Sequence, residues 1–161
     1  MPIPNIPPAL EYLPDEKTPL KTFGVMLNKL WQKLFVVLSP IFNASIVYTP
    51  VITAGSGTFT TVSASGRYTV FGKYVLIQIT VTITTNGTAA GQVTATLPFS
   101  SVNVAGVEHV LAGRAQAISG KMLQGAIGPN ASAVGIVNYD NSYPGASGET
   151  LVLSGFYEYG G

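Results

Sequence analysis

Residues 138–149, NYDNSYPGASGE, hold the densest group of chemically useful side chains in the chain. Tyr139 and Tyr143 have flat faces on which a sugar ring can stack, and Asp140, Asn141 and Ser142 can hydrogen-bond its hydroxyls. The same Asn, Asp, Ser, Pro and Gly are what any long turn requires, so a purely structural reading stands beside glycan contact. A glycosidase needs two carboxylates about 5–10 Å apart, and Asp140 and Glu149 share one predicted loop. Asp140 and Asn141 are also types that hold a hard cation through oxygen. The sole histidine, His109, follows Glu108 in VAGVEHV. Neighbours on a strand point to opposite faces, so this pair does not make a triad. A phosphate-cradling loop and a basic, aromatic-lined strip are both missing from the sequence. Arg67, Lys73, Arg114 and Lys121 read as scattered, solvated charges. The expectation is a binding surface, with no catalytic residue, no cofactor and no metal.

Composition narrows the partners. Charged residues make up 9% of the 161, the formal net charge is +1, and there is no cysteine. Disulfides and thiolate metal sites are excluded, and nucleic acid, which demands a basic excess, is not an expected partner. The start, MPIPNIPPALEYLPDEK, lacks the basic and apolar regions of a secretory signal. The apolar run LFVVLSPIF falls well short of the roughly 20 residues of a bilayer crossing, and extending it backward meets Lys33, Lys29 and Lys21. Membrane insertion is not expected.

Three segments follow one another. Residues 1–17 carry Pro2, Pro4, Pro7, Pro8 and Pro14, which suits an extended arm without a core of its own. Ile3, Ile6, Leu10, Tyr12 and Leu13 would be wasted in a plain linker, so the arm is expected to anchor in a groove on another protein. Residues 18–42 read as a helix, with Thr18 as N-cap, Pro19 at the first position and Ser39-Pro40 as the stop. Leu20, Leu27, Leu34 and Ile41 repeat at heptad spacing, as do Phe23, Leu30 and Val37, the seam of a coiled coil. Trp31 and Leu38 widen that stripe, which suits three or more strands. Packing on the chain's own β domain and lying on a membrane surface are the competing readings of this helix.

Residues 43–161 are strands and turns. In residues 74–84, Val75, Ile77, Ile79, Val81 and Ile83 alternate with Gln78, Thr80, Thr82 and Thr84, the period of a strand with one buried face. Arg67 to Phe71 should pair with it through a two-residue turn at Gly72-Lys73, type II′ because glycine comes first. Val70 then opposes Val75 and Tyr68 opposes Ile77. Further strands are expected near 45–51, 58–63, 92–97, 110–118, 121–127, 132–139 and 150–158. The sequences AGSG, TNGTAAG, ISGK, IGPNAS and NSYPGASG mark turns between them. Short strands at this spacing predict an all-β sandwich or barrel.

GRYTVFGKYVLIQITVTIT resembles a hairpin of the C-terminal modules of bacteriophage tail fibres and receptor-binding proteins. VTATLPFSS looks like the strand-plus-LPF segment that follows in those modules, and LVLSGFYEYGG like their closing strand. The motifs occur in the family's order, although Phe71-Gly72-Lys73 replaces its commoner Gly-Asn turn. The resemblance implies an antiparallel, jelly-roll-like β-sandwich head, assembled as a homotrimer in a virion. It would be anchored to other virion proteins by its N-terminus and adhere to a host-surface glycan or protein. A capsid head fibre or decoration protein without a receptor, and a non-viral carbohydrate-binding module, are the alternatives.

Overall fold

The computed structural model describes residues 19–38 and 45–160. The chain divides into two compact units, Met1–Asn43 and Ala44–Gly161. The proline arm, with Ile3, Ile6, Leu10, Tyr12 and Leu13, lies outside the described residues, as do Thr18 and Ile41.

In the first unit, helix α1 spans Pro19–Leu38. At 1.5 Å per residue it is a rod of about 30 Å. Proline at its start is compatible with helix because the first turn needs no N–H there. Phe23, Leu27, Leu30 and Leu34 of the predicted seam are exposed, and so is Trp31 beside them. Leu20 and Val37 fall within the same helix. Among the described residues no helix is long and apolar enough to cross a membrane.

The second unit is antiparallel β throughout. Its strands are β1 (Ile46–Tyr48), β2 (Ile52–Ser56), β3 (Thr61–Phe71), β4 (Tyr74–Thr85), β5 (Ala90–Thr96), β6 (His109–Ala115), β7 (Met122–Ile127), β8 (Ala133–Asn138) and β9 (Glu149–Glu158). Hydrogen bonds run unbroken through the order β1-β3-β4-β9-β6-β7-β8-β5-β2, so the ladder describes one curled sheet. Residues 49–51, the link between its two edge strands, explain the curl. Thr96 ties this link down from the β5 side, its N–H donating to the Val51 carbonyl at 3.1 Å. The Tyr48 hydroxyl also donates to the Thr96 carbonyl, at 3.3 Å.

The alternation expected of β4 is present: Val75, Ile77, Ile79, Val81 and Ile83 are all buried. They pack with Leu151, Leu153 and Tyr157 of β9, Leu111 of β6, Leu123 and Ile127 of β7, Val134 and Ile136 of β8, and Val93 of β5. The predicted register holds, with Val70 opposite Val75 and Tyr68 opposite Ile77. Gly72 has φ 58° while Lys73 has no positive φ, which is the type II′ pattern.

Two expectations needed correction. AGSG was expected to be a turn, but Ala54, Gly55 and Ser56 belong to β2. An edge strand tolerates such residues, and the register slips between Ala54 and Ser56 as at a bulge. The expected strand at 58–63 begins only at Thr61, and it runs on through Ala64–Gly66 into the run 67–71 as one strand. β4 pairs with this whole stretch, and the Tyr48 ring fills the space over Gly66, leaving no room for a Cβ there.

Register gives the unit two distinct ends. The chain arrives at Ile46, opposite Tyr68. That near end also holds the Gly72-Lys73 turn, residues 97–108 and 128–132, and the last residues of β9. An edge-to-face aromatic chain runs there from Tyr48 to Tyr68 (5.7 Å) and from Tyr68 to Phe99 (5.5 Å). The buried Tyr157 hydroxyl donates to the Phe99 carbonyl at 2.9 Å. Burial pushes that hydroxyl up to about 12, against the opposing effect of the Phe99 backbone bond. The far end holds residues 57–60, 86–89, 116–121 and 139–148.

Ile79 is fully buried and Thr84 is exposed on the same strand. Ile79→Ala should lower unfolding free energy by about 2–5 kcal/mol, and Thr84→Ala by about 0.5 kcal/mol or less. Denaturant titration of the full chain measures both.

Candidate functional site

The aromatic and amide residues singled out from the sequence sit at the far end, where β8 runs out. Asn138, the last residue of β8, is buried and organises the turn that follows. Its Nδ2 donates to Ser142 Oγ (2.9 Å) and to the Tyr143 carbonyl (3.0 Å). Its backbone N–H donates to the Ser142 carbonyl at 3.0 Å, and Asn141 N–H donates to the Asn138 carbonyl at 2.9 Å. Asn141 takes φ 60°, a left-handed conformation that asparagine tolerates better than most residues.

Most polar groups of this turn are spent within the protein. Asp140 accepts from the Ser142 hydroxyl and N–H, and its carboxylate lies 3.1 Å from Lys121 Nζ. Those Ser142 bonds, aided by Lys121, bring its carboxyl down to about 2. Lys121 is therefore paired rather than simply solvated. Asn141 Oδ1 accepts from Gln124 Nε2 at 2.7 Å. The oxygens proposed for a cation or a sugar hydroxyl thus already have protein partners.

The two tyrosines part company. Tyr143 is half-buried against the core, and its hydroxyl donates to Asn86 Oδ1 at 2.6 Å. Burial raises the Tyr143 hydroxyl, and the Asn86 bond opposes that rise. Asn86 is itself held by the Ala89 carbonyl (2.9 Å) and Ser147 Oγ (3.1 Å). Tyr143 is therefore a strut between two far-end loops and not a stacking face beside Tyr139. Tyr139 is 65% exposed, and its N–H donates to the Met122 carbonyl at 3.0 Å. That bond sets it opposite Met122, which is 58% exposed, and Met122 opposes Arg114 on β6. Arg114, Met122 and Tyr139 form one cross-strand row, with the Gln124–Asn141 amide pair beside it. Met122 and Arg114 escaped sequence reasoning because only strand register places them next to Tyr139.

Glu149 is not a partner for Asp140. It opens β9, fully buried, and its carboxylate accepts from the backbone N–H groups of Ala117 (2.9 Å), Ile118 (3.2 Å), Ser119 (2.8 Å) and Thr150 (3.1 Å). It closes the turn between β6 and β7. Burial pushes its carboxyl up, and the four backbone donors more than reverse this, leaving it below its ordinary value. A lone acid between Gly148 and an apolar strand was the one sequence signal for this role. His109 opens β6 with its ring 6.4 Å from that of Tyr157, and its Nε2 is buried without a hydrogen-bond partner among the described residues.

The far end is thus a surface with an exposed aromatic, a thioether, a guanidinium and an amide pair. Such a set can stack on and hydrogen-bond a ligand; it does not supply paired acid and base. No family model matches the sequence, and no curated protein matches it. In structure the chain is similar to the receptor binding protein (gp15) of Listeria phage PSA, with a TM-score of 0.53 and 15% identity, over 91% of this chain and 82% of that one. The likeness is one of fold.

Glu149→Gln keeps one acceptor oxygen but sets an amide NH₂ against the Ser119 N–H. We expect a loss of about 2–3 kcal/mol near neutral pH. The depressed carboxyl contributes fully above its ordinary value of 4.5 and loses that contribution as pH falls through the folded value. The gap between wild type and variant should therefore close in acid, as read by denaturation midpoints across pH.

Proposed function

We propose that this chain is a bacteriophage virion protein that attaches the particle to its host, a homotrimeric tail fibre or tail-tip protein. The fold shared with a phage receptor-binding protein over 91% of the chain carries this reading. The ordered hairpin, LPF and closing-strand motifs agree with it. In this reading the proline arm at 1–17 anchors to other virion proteins through Ile3, Ile6, Leu10, Tyr12 and Leu13. The heptad seam of α1 binds sister helices, and a jelly-roll-like head follows.

The head would adhere by its far end, opposite the point where the chain arrives at Ile46. Tyr139 supplies the stacking face, Met122 and Arg114 extend it, and the Gln124–Asn141 pair supplies a donor and an acceptor for the hydroxyls of a host-surface glycan. Attachment changes no covalent bond and uses no cofactor. Weak contacts on each head sum to avidity when copies are held on one particle.

Excess purified full-length protein should block adsorption of the parent phage to its host. Tyr139→Ala should weaken that block at least about tenfold, the effect of losing one buried aromatic contact, with an unchanged circular dichroism spectrum. No block by the wild-type protein would leave a head fibre or decoration protein as the better reading. Leu27→Asp combined with Leu34→Asp should lower the light-scattering mass, because charges at seam positions cannot be buried cheaply.

A further inference from the structure

The outward face of the near half of the sheet carries an apolar patch with opposite charges on its flanks. Leu76 opposes Thr69 on one side and Phe156 on the other. Tyr74, two residues before Leu76, sets its ring edge-on to that of Phe156, with centroids 6.0 Å apart. Leu76 is 51% exposed and Phe156 62%, and Phe71, Tyr74 and Val110 around them are exposed as well. The inward neighbours Val75, Ile77 and Tyr157 already fill the core, so this second apolar surface contributes nothing to it. A contiguous exposed apolar patch on a chain otherwise rich in hydroxyls marks an interaction site.

The charges indicate what covers it. Arg67 on β3 opposes Gln78, and Glu158 on β9 opposes Tyr74. Gln78 and Tyr74 stand two residues either side of Leu76 on the strand between them, so Leu76 lies at the middle of the Arg67–Glu158 diagonal. Two strand spacings and four residues separate the charges by about 16 Å. They cannot pair within one chain, and among the described residues the one ion pair is Lys121–Asp140. The face therefore runs basic, apolar, acidic from β3 to β9. A surface covering it needs an apolar centre with an acid on one flank and a base on the other, and a second copy of this face has that pattern.

We infer that this face packs against another copy of the same chain, with Leu76 and Phe156 at the centre of the contact and Arg67 of one copy beside Glu158 of the next. Buried apolar area drives the contact and the charge pair sets its register. The inference rests on the self-association in the proposed function, but it places an interface on the β unit and is separate from the helix seam.

The chain has no cysteine, so thiols can be placed without background. Full-length protein carrying Arg67→Cys and Glu158→Cys would be treated at low concentration with a bismaleimide too short to span the two positions in one chain. Covalent oligomers on a denaturing gel are expected from the double variant, with much less from either single variant, and adding Leu76→Glu should abolish them. Light scattering on the same samples separates the two ways to fail. A single-chain mass would sink the self-association reading as a whole. An oligomeric mass without cross-links, or with cross-links indifferent to Leu76→Glu, would overturn the proposed face and leave association to the helix.

Discussion

Residues 46–48 pair with β3 at one edge of the sheet and residues 52–56 pair with β5 at the other. Residues 49–51 between them reach about 14 Å at most. The sheet has to curl until its edges meet, and the other features of the β unit follow from that. Curling encloses the apolar face of every strand in one core. It also leaves little unpaired edge, a liability for a chain with so few charges to discourage edge-to-edge pairing.

Sparse charge makes each charged residue informative. Glu149 is buried and fully committed to the backbone of the β6–β7 turn. Lys121 and Asp140 neutralise one another over the far-end turn. Hydroxyls and amides bind the far-end loops, through Tyr143 to Asn86 and from Asn86 to Ser147. These bonds tie the far-end loops together, and Tyr139 is displayed from them. Arg67 and Glu158 stand apart from these economies, because neither forms an ion pair among the described residues.

The β unit is also polar in the geometric sense. The chain comes in at one end, beside the Gly72-Lys73 turn and the aromatic chain from Tyr48 to Phe99. The row Arg114–Met122–Tyr139 lies toward the opposite end. The apolar face around Leu76 lies in the half nearer the Gly72-Lys73 turn.

Local physics made several elements legible in the sequence alone. Strict alternation marked β4 and its buried face, because a strand's side chains alternate sides whatever surrounds it. A glycine at the head of a two-residue turn determined the hairpin type and, with it, the register of β3 on β4. The heptad residues marked α1 by the same reasoning. Tertiary structure decided what depends on distant neighbours. Ala54–Ser56 became strand and Ser63–Gly66 stayed strand because partners from elsewhere in the chain satisfy their backbones. Tyr139 and Tyr143 are near neighbours in sequence with equal composition value, yet only Tyr139 is displayed, since Asn86 from the β4–β5 loop captures the other hydroxyl. Glu149 became a structural anchor because residues 117–119 bring their N–H groups to it. Side-chain identity offers an interaction, and long-range register determines whether the protein keeps it or leaves it for a partner.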